Sequence, residues 1–533
     1  MFSRMTIQIC GTLLVLAACS EAPVRPTDEI SLAIPSAVVA SPPAASVAAT
    51  VQVPASMRTS PFHVTRSLTV PPNFSIAVYT RISKPRFLAV MPNGNLLVSQ
   101  PSTGKILLVR PAAGGDPLIS SFATGLRKPH DIVFHTIGAT TYIYVGESHR
   151  ISRYVYNPAS LTAGARQDVV TGLPDASSPE LNGSYGHELK NLALDANNAL
   201  YVSIASTCNA CTSDTQSNPV RGAIYKYNAD GTGGRLFARG IRNAEGLAFG
   251  PGTNDLWVAV NNRDNIAYPF NDGSGNYGKV VPSYVDNHPP EEFTRVRDGG
   301  DYGWPFCNPN HDSQSGYDNM PFDLDYQFNA AGTVNCAAMD RITKGIQAHS
   351  APLGLTFLHG TNFPSAYRSG AVIGLHGSWN RTVKTGYKVI HFPWDDVSHL
   401  PGNQIDLVSG WLSGNSSWGR PVDIAVDAQG GMFISDDQSG TIYRLSYAAA
   451  TTDQPPVPRF THTCTGRTCT FDARTSTDDV GITRYVWRFG DDSGAEGAVV
   501  THTYSAAGTY RVLLKVTDTA GQVKSRVKHV TVQ

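Results

Sequence analysis

His187 follows the turn-forming run Gly183-Ser184-Tyr185-Gly186 and precedes a segment in which Leu192, Leu194, Leu200, Val202 and Ile204 are spaced like sheet residues. An imidazole on a loop that feeds a buried sheet is placed to move a proton near neutral pH. The chain holds 15 histidines, however, and a lone one is more often a satisfied surface or core residue. Four arginines occupy comparable positions beside strand-like phrases: Arg86 in KPRFLAV, Arg242 in GIRNAEGLAF, Arg381 in LHGSWNR and Arg420 in WGRPVDIAV. Singly, each reads as a solvated or ion-paired side chain. Converging from different repeats on one opening, they would recognise a ligand with several carboxylates, because the guanidinium fork binds a carboxylate through two parallel hydrogen bonds.

Such convergence needs a repeated scaffold, and the sequence has one. From Phe74 onward, short strand pairs recur at 94–111, 141–156, 199–228, 255–266, 370–392 and 431–447. Several are preceded by an apolar-alternating phrase, among them FLAVMPNG, NLALDANN and DIAVDAQG. Six such units predict an all-β fold, a six-bladed β-propeller with its binding loops on one face. The longest gap, about 267–350, reads as inserted loops. After the linker AAATTDQPPVP, residues 459–533 give short alternating strands with Gly and Asp turns, which predicts a small Ig-like β-sandwich. The expected order is a signal at 1–19, a disordered linker at 20–65, the propeller at 66–449, a second linker at 450–458 and the sandwich at 459–533.

Lys plus Arg and Asp plus Glu both total 42, so no global charge excess argues for nucleic acid. Charged residues make up only 16%, with 49 Gly and 35 Pro, which suits a turn-rich β protein. Arg4, the apolar run 7–18 and the box Leu16-Ala17-Ala18-Cys19 resemble a bacterial lipoprotein signal. The expectation is an envelope protein tethered by lipid on Cys19, at the outer membrane, with no membrane contact beyond that anchor. In an oxidising compartment the six later cysteines are read as disulfides. Proximity favours Cys208–Cys211, Cys307–Cys336 and Cys464–Cys469, although other pairings are open and Cys208/Cys211 also fits a redox or zinc element.

Two resemblances sharpen these readings. Trp487-Arg488-Phe489-Gly490-Asp491, with His502-Thr503-Tyr504 and Gly508-Thr509-Tyr510, resembles a PKD domain, which implies a non-catalytic spacer contacting glycan or protein. The body carries Arg86-Phe87-Leu88, Lys128-Pro129-His130, Gly186-His187, Ile241-Arg242-Asn243, the run from Asp298 to Pro305, the run from His349 to Leu355, Leu375-His376-Gly377-Ser378-Trp379-Asn380-Arg381, and Trp418-Gly419-Arg420-Pro421. In that order they resemble the sorbosone/pyranose dehydrogenase group of soluble PQQ-dependent sugar dehydrogenases, related to soluble glucose dehydrogenase. The resemblance implies PQQ and Ca²⁺ as cofactors and oxidation of an aldose, pyranose or related hydroxy-aldehyde. It makes His187 the base, and Arg86, Arg242, Asn243, His376, Asn380, Arg381 and Arg420 cofactor contacts. It places His130 at the sugar pocket and the Asn262 and Arg263 carbonyls on the metal. Electrons would pass to an external quinone or cytochrome, since Thr212 after Cys211 breaks a haem-attachment motif. Glu188-Leu189-Lys190 departs from the group's pattern, and Lys190 is expected to stand in for an arginine's charge there. The alternative is a non-catalytic surface propeller that binds glycan or a protein.

Overall fold

The computed structural model describes residues 45–448, 453–478 and 480–533; the expected signal, with Cys19, lies outside them. Among the described residues no helix is long and apolar enough to cross a membrane, and the α-helices are single turns such as Pro282–Val285 and Tyr326–Asn329.

The body is built from six sheets of four or five strands, antiparallel apart from the short parallel pairing of Arg235–Arg239 with Gly300–Asp301. Their first strands are Leu88–Val90, Ile132–Ile137, Leu192–Leu194, Ala244–Phe249, Pro352–Leu358 and Pro421–Val426. Each touches the next, and the last touches the first, so the sheets close a propeller-like ring. The second strands explain the apolar runs of the sequence. Leu96–Gln100, Ala199–Ile204, Leu256–Val260, Gly370–Leu375 and Met432–Asp436 are buried along their whole length. A strand covered on both faces by neighbouring sheets is mainly apolar on both rather than alternating, and its few polar residues, among them Ser99, Ser203 and Ser435, are buried too.

The last sheet takes its outer strand from the start of the body. Phe74–Arg81 pairs with Thr441–Tyr447, and Arg81 donates from Nε to the Gly440 carbonyl at 3.1 Å and from Nη2 to the Ser439 carbonyl at 2.8 Å. Inward carboxylates join adjacent sheets. Asp131 Oδ2 accepts from the Leu192 N–H at 2.8 Å, and Asp423 Oδ2 from the Leu88 N–H at 2.8 Å. Burial pushes these acids up to about 7 and about 8 respectively.

The sequence reading of 20–65 as linker is corrected over its second half. Val47–Thr50 pairs with Ser67–Val70, and Val51, Met57 and Phe62 are buried in the core that holds Val70 and Trp411. Isolated apolar anchors on an otherwise Ala/Pro-rich coil have no period to detect, yet each buries against the body.

The inserted loops of the fourth sheet are fixed covalently and electrostatically. Cys307–Cys336 is bonded, and Arg263, 2% exposed, pairs with Asp325, 1% exposed, whose other oxygen caps the helix from Tyr326. Cys208–Cys211 and Cys464–Cys469 are also bonded, so all three proximity pairings stand and the cysteine-zinc alternative falls. The C-terminal module packs a three-stranded sheet and a four-stranded sheet around Phe471, Trp487, Phe489 and Tyr504.

Candidate active site at the mouth of the ring

The chemistry-bearing residues lie just ahead of the innermost strands. Arg86 precedes Leu88, His130 precedes Ile132, Arg242 and Asn243 precede Ala244, His349 precedes Pro352 and Arg420 precedes Pro421. Equivalent positions in a closed ring share one end, so repetition alone gathers them.

His187 sits on a loop braced from both sides. The buried Tyr185 hydroxyl donates to the Ala205 carbonyl at 2.7 Å, and fully buried Lys190 reaches the Pro174 carbonyl at 3.1 Å and the Glu188 carbonyl. Lys190 is therefore turned under the loop, away from His187's outer face. Burial pushes its ammonium down to about 7. Its Nζ is held by those backbone carbonyls and lies 5.2 Å from the Tyr185 ring centroid. Glu188 is also inward, pairing with Lys128 and accepting from the Ala176 N–H at 3.0 Å.

The His187 Nδ1 lies 2.9 Å from the Ser206 carbonyl and 3.1 Å from the Ser206 hydroxyl. A carbonyl only accepts, so Nδ1 carries the hydrogen and Nε2 keeps its lone pair. Burial first, then the Arg242 charge, push the imidazole down to about 4, against the opposing Ser206 carbonyl and the Glu245 and Asp264 carboxylates. In the apoprotein the His187 ring is expected to titrate near pH 4 by NMR. Arg242→Met should move that midpoint upward by removing a repelling charge; a midpoint unchanged at the free-histidine value would contradict the buried, cation-facing environment.

Arg242 is 4% exposed. Its Nε and Nη2 donate to the carbonyl and Oδ1 of Asn209 at 2.9 and 3.2 Å, and its Nη1 to the Asn261 carbonyl at 3.1 Å. Asn209 also accepts from the Asp264 N–H at 2.7 Å and donates to the Asp264 carbonyl at 2.8 Å. Asp264 Oδ1 is 3.4 Å from His349 Nδ1. Asn243 donates to Glu245 Oε1 at 3.1 Å, while Glu245 Oε2 lies 3.0 Å from His130 Nε2. His130 is wholly buried against Phe87, with ring centroids 4.2 Å apart. The expectation that it lines the sugar pocket therefore does not fit this geometry: with no exposed surface, it orients Glu245 instead.

On the other side of the ring, Asp437 joins Arg86 Nη1 at 2.9 Å and His376 Nε2 at 2.8 Å. Arg420 donates to the His376 and Gly377 carbonyls at 2.8 and 2.9 Å, its guanidinium 5.7 Å from the Tyr387 ring centroid. Arg420, His376, Tyr387 and the exposed Trp379 border a cleft of about 550 Å³. Asn380 Nδ2 and Oδ1 are both buried without a partner. Arg381 bonds the Asp286, Ala348 and Val383 carbonyls, so its fork braces loops. Arg263 points to Asp325 and Gln327, and the Asn262 amide to Pro290 and Glu292, which turns both side chains away from their own carbonyls.

Neither Arg242 nor Arg420 forms an ion pair with a described residue. Sequence reasoning missed Asn209, Glu245, Asp264, His349 and Asp437. Glu245 stood two residues past the chosen Arg242-Asn243, and Asp437 in ISDDQSG falls at the position that VNNRDN occupies in its own repeat.

A closed ring of β-sheets that gathers a histidine and guanidinium groups without carboxylate partners ahead of its innermost strands defines a propeller-like body. Residues 68–448 match the TrAA12-like family and residues 453–533 a PKD domain, so the chain belongs to the TrAA12-like family and carries a C-terminal PKD module. It is 25% identical over 389 residues to an uncharacterised protein of Borreliella burgdorferi, covering 72% of this chain and 92% of that one. It is 25% identical to a pyrroloquinoline quinone-dependent sugar dehydrogenase of Hypocrea jecorina, covering 70% and 87%. Against the pyrroloquinoline quinone-dependent pyranose dehydrogenase of Coprinopsis cinerea it is 23% identical over 70% of this chain, but spans only 54% of that relative. The holo structure of the latter's PQQ domain superposes with a TM-score of 0.58 at 22% identity, covering 71% and 97%. A calcium structure of the Trichoderma reesei family AA12 enzyme gives 0.58 at 20%, covering 72% and 97%. These superpositions establish the fold.

Proposed function

We propose that this chain is a quinoprotein dehydrogenase, tethered to the bacterial envelope through Cys19, that oxidises an aldose, pyranose or sorbosone-like hydroxy-aldehyde with PQQ and Ca²⁺. Its six sheets are the blades of a six-bladed propeller. The observation that carries this reading is the open Nε2 lone pair of His187 beside a guanidinium that has no carboxylate partner.

The donor set fits PQQ, a planar tricarboxylate. Arg242 and Arg420 are cationic groups without carboxylate partners, and Asn380 offers a buried donor and acceptor that nothing satisfies. Arg86, Asn243, His376 and Arg381 complete the rim, Arg381 also bracing loop carbonyls through Nε and Nη1. When bound, PQQ supplies a two-electron acceptor. The Asn262 and Arg263 carbonyls, left by their own side chains, are the oxygen ligands this reading assigns to Ca²⁺.

Within that frame His187 takes the proton of the sugar hydroxyl at Nε2, which raises the tendency of the attached carbon to release hydride. Ser206 holds the ring's tautomer, burial and then the Arg242 charge keep it neutral, and Glu245 joins Asn243 to His130 behind it. The electrons then leave to an external quinone or cytochrome. The relatives' names and the joint presence of His187, Arg242, Asn243 and Arg420 support this reading over a glycan-binding surface propeller. The test is to reconstitute the apoprotein with PQQ and Ca²⁺ and follow dye reduction with a panel of aldoses and osones. Reduction with at least one sugar is expected; glycan binding with no dye reduction by any sugar would overturn it.

A further inference from the structure

The inserted loops of the fourth sheet hold a second group of side chains with chemistry that the proposed function does not use. His288 follows the single-turn helix Pro282–Val285, and His311 and Asp312 follow the strand Cys307–Pro309. One ligand atom from each of the three lies within 4.8 Å of the other two.

His288 is buried, and its ring lies flat on Tyr284 with centroids 4.0 Å apart. Its Nδ1 is 3.0 Å from the Tyr284 carbonyl. A carbonyl only accepts, so Nδ1 carries the hydrogen and the neutral ring keeps its lone pair on Nε2. That lone pair faces another acceptor, because Nε2 lies 3.0 Å from Asp312 Oδ2. His311, stacked on Tyr317 with centroids 4.7 Å apart, makes no hydrogen bond with a described residue. Its Nδ1 is buried without a partner, and its Nε2 lies 3.5 Å from the second Asp312 oxygen, Oδ1.

Two acceptors that face each other at hydrogen-bond distance need a positive charge. A proton on His288 Nε2 supplies it for one contact and leaves His311 without a partner. A divalent cation supplies it for all three side chains at once. A ring nitrogen held by a backbone carbonyl while the other nitrogen binds metal is the usual arrangement of a ligating histidine. Two imidazoles and one carboxylate suit zinc, whereas calcium and magnesium favour oxygen donors throughout. Ligands at about 2.0–2.2 Å from a tetrahedral zinc stand roughly 3.3–3.6 Å from one another, close to the 3.0 and 3.5 Å separations here. The group also borders a cleft of about 300 Å³, which leaves the fourth position of a tetrahedron to water.

We propose that His288, His311 and Asp312 bind a Zn²⁺ ion that joins the turn 282–288 to the loop after Cys307–Pro309. That turn supports the ring's mouth: the Val285 and His288 carbonyls lie 2.7 and 3.1 Å from His349 Nε2, and Asp286 Oδ1 accepts from the Thr382 N–H at 2.8 Å. The ion steadies these loops from outside and supplies no chemistry to the substrate. The site does not depend on the dehydrogenase reading.

The test uses the full chain without PQQ, stripped with a zinc-selective chelator, kept in excess Ca²⁺ so that oxygen-donor sites are filled, and titrated with ZnCl₂ by calorimetry. Wild type is expected to take up one more Zn²⁺ per chain than His311→Gln, and Asp312→Asn to bind that ion at least about tenfold more weakly. Zn²⁺ should raise the melting temperature of wild type and leave that of His311→Gln unchanged. No Zn²⁺ uptake by wild type, or equal stoichiometry and affinity in wild type and both variants, overturns the proposal and leaves His288 as an imidazolium paired with Asp312. If His311→Gln does not fold, Asp312→Asn carries the same comparison, since the Asp312 side chain is 61% exposed. Zinc uptake by a protein that reduces no dye with any sugar would strike the proposed function and leave this site standing.

Discussion

His187→Ala is expected to lower the turnover of the PQQ-loaded protein by about a hundredfold to ten-thousandfold, the usual contribution of a positioned general base. PQQ affinity should change little, because His187's assigned work is on the substrate hydroxyl and its Nδ1 is bound to Ser206. Steady-state dye reduction gives the first quantity and a fluorescence titration with PQQ the second. His187→Gln should be nearly as inactive, since an amide nitrogen in place of Nε2 has no basic lone pair. Turnover close to wild type in either variant would remove His187 from the base role.

The second large effect is expected at Arg242. Arg242→Lys keeps a positive charge but loses the fork that joins two atoms of Asn209 and the Asn261 carbonyl. Losing one charge-assisted hydrogen bond costs about 1.5–3 kcal/mol, which corresponds to a PQQ Kd raised by roughly ten- to a hundredfold. Turnover should fall as well, since Asn209 also holds the Asp264 backbone and the guanidinium helps keep His187 neutral. A Kd and turnover both unchanged in this variant would mean that Arg242 faces no anion.

The ring was legible because its physics is repetitive. A strand buried on both faces writes a mainly apolar run, and similar short phrases precede several inner strands, so Arg86, Arg242 and Arg420 could be aligned by position. The disulfides were legible from nearness in the chain. Asn209, Glu245 and Asp264 were not, since their meaning lies in partners dozens of residues away, and an Asn between two cysteines has no distinctive spacing. Lys190 shows the same limit from the other direction: its type promised a charge at the site, and only the Pro174 and Glu188 carbonyls reveal that the charge is used beneath the loop. Residues 45–65 were misread because a few separated anchors, Val51, Met57 and Phe62, leave no period.

The pairing of Phe74–Arg81 with Thr441–Tyr447 sets the order in which the body is finished. A chain emerging from its amino end, from a ribosome or an export channel, displays Phe74–Arg81 long before its partner exists. Closing so distant a contact is slow because the loop entropy is lost before the contact forms, and until it happens the ring keeps two unpaired strand edges open to other chains. Any product ending before Thr441 would be left permanently in that state, prone to pair edge to edge with its own copies rather than to persist as a smaller working protein.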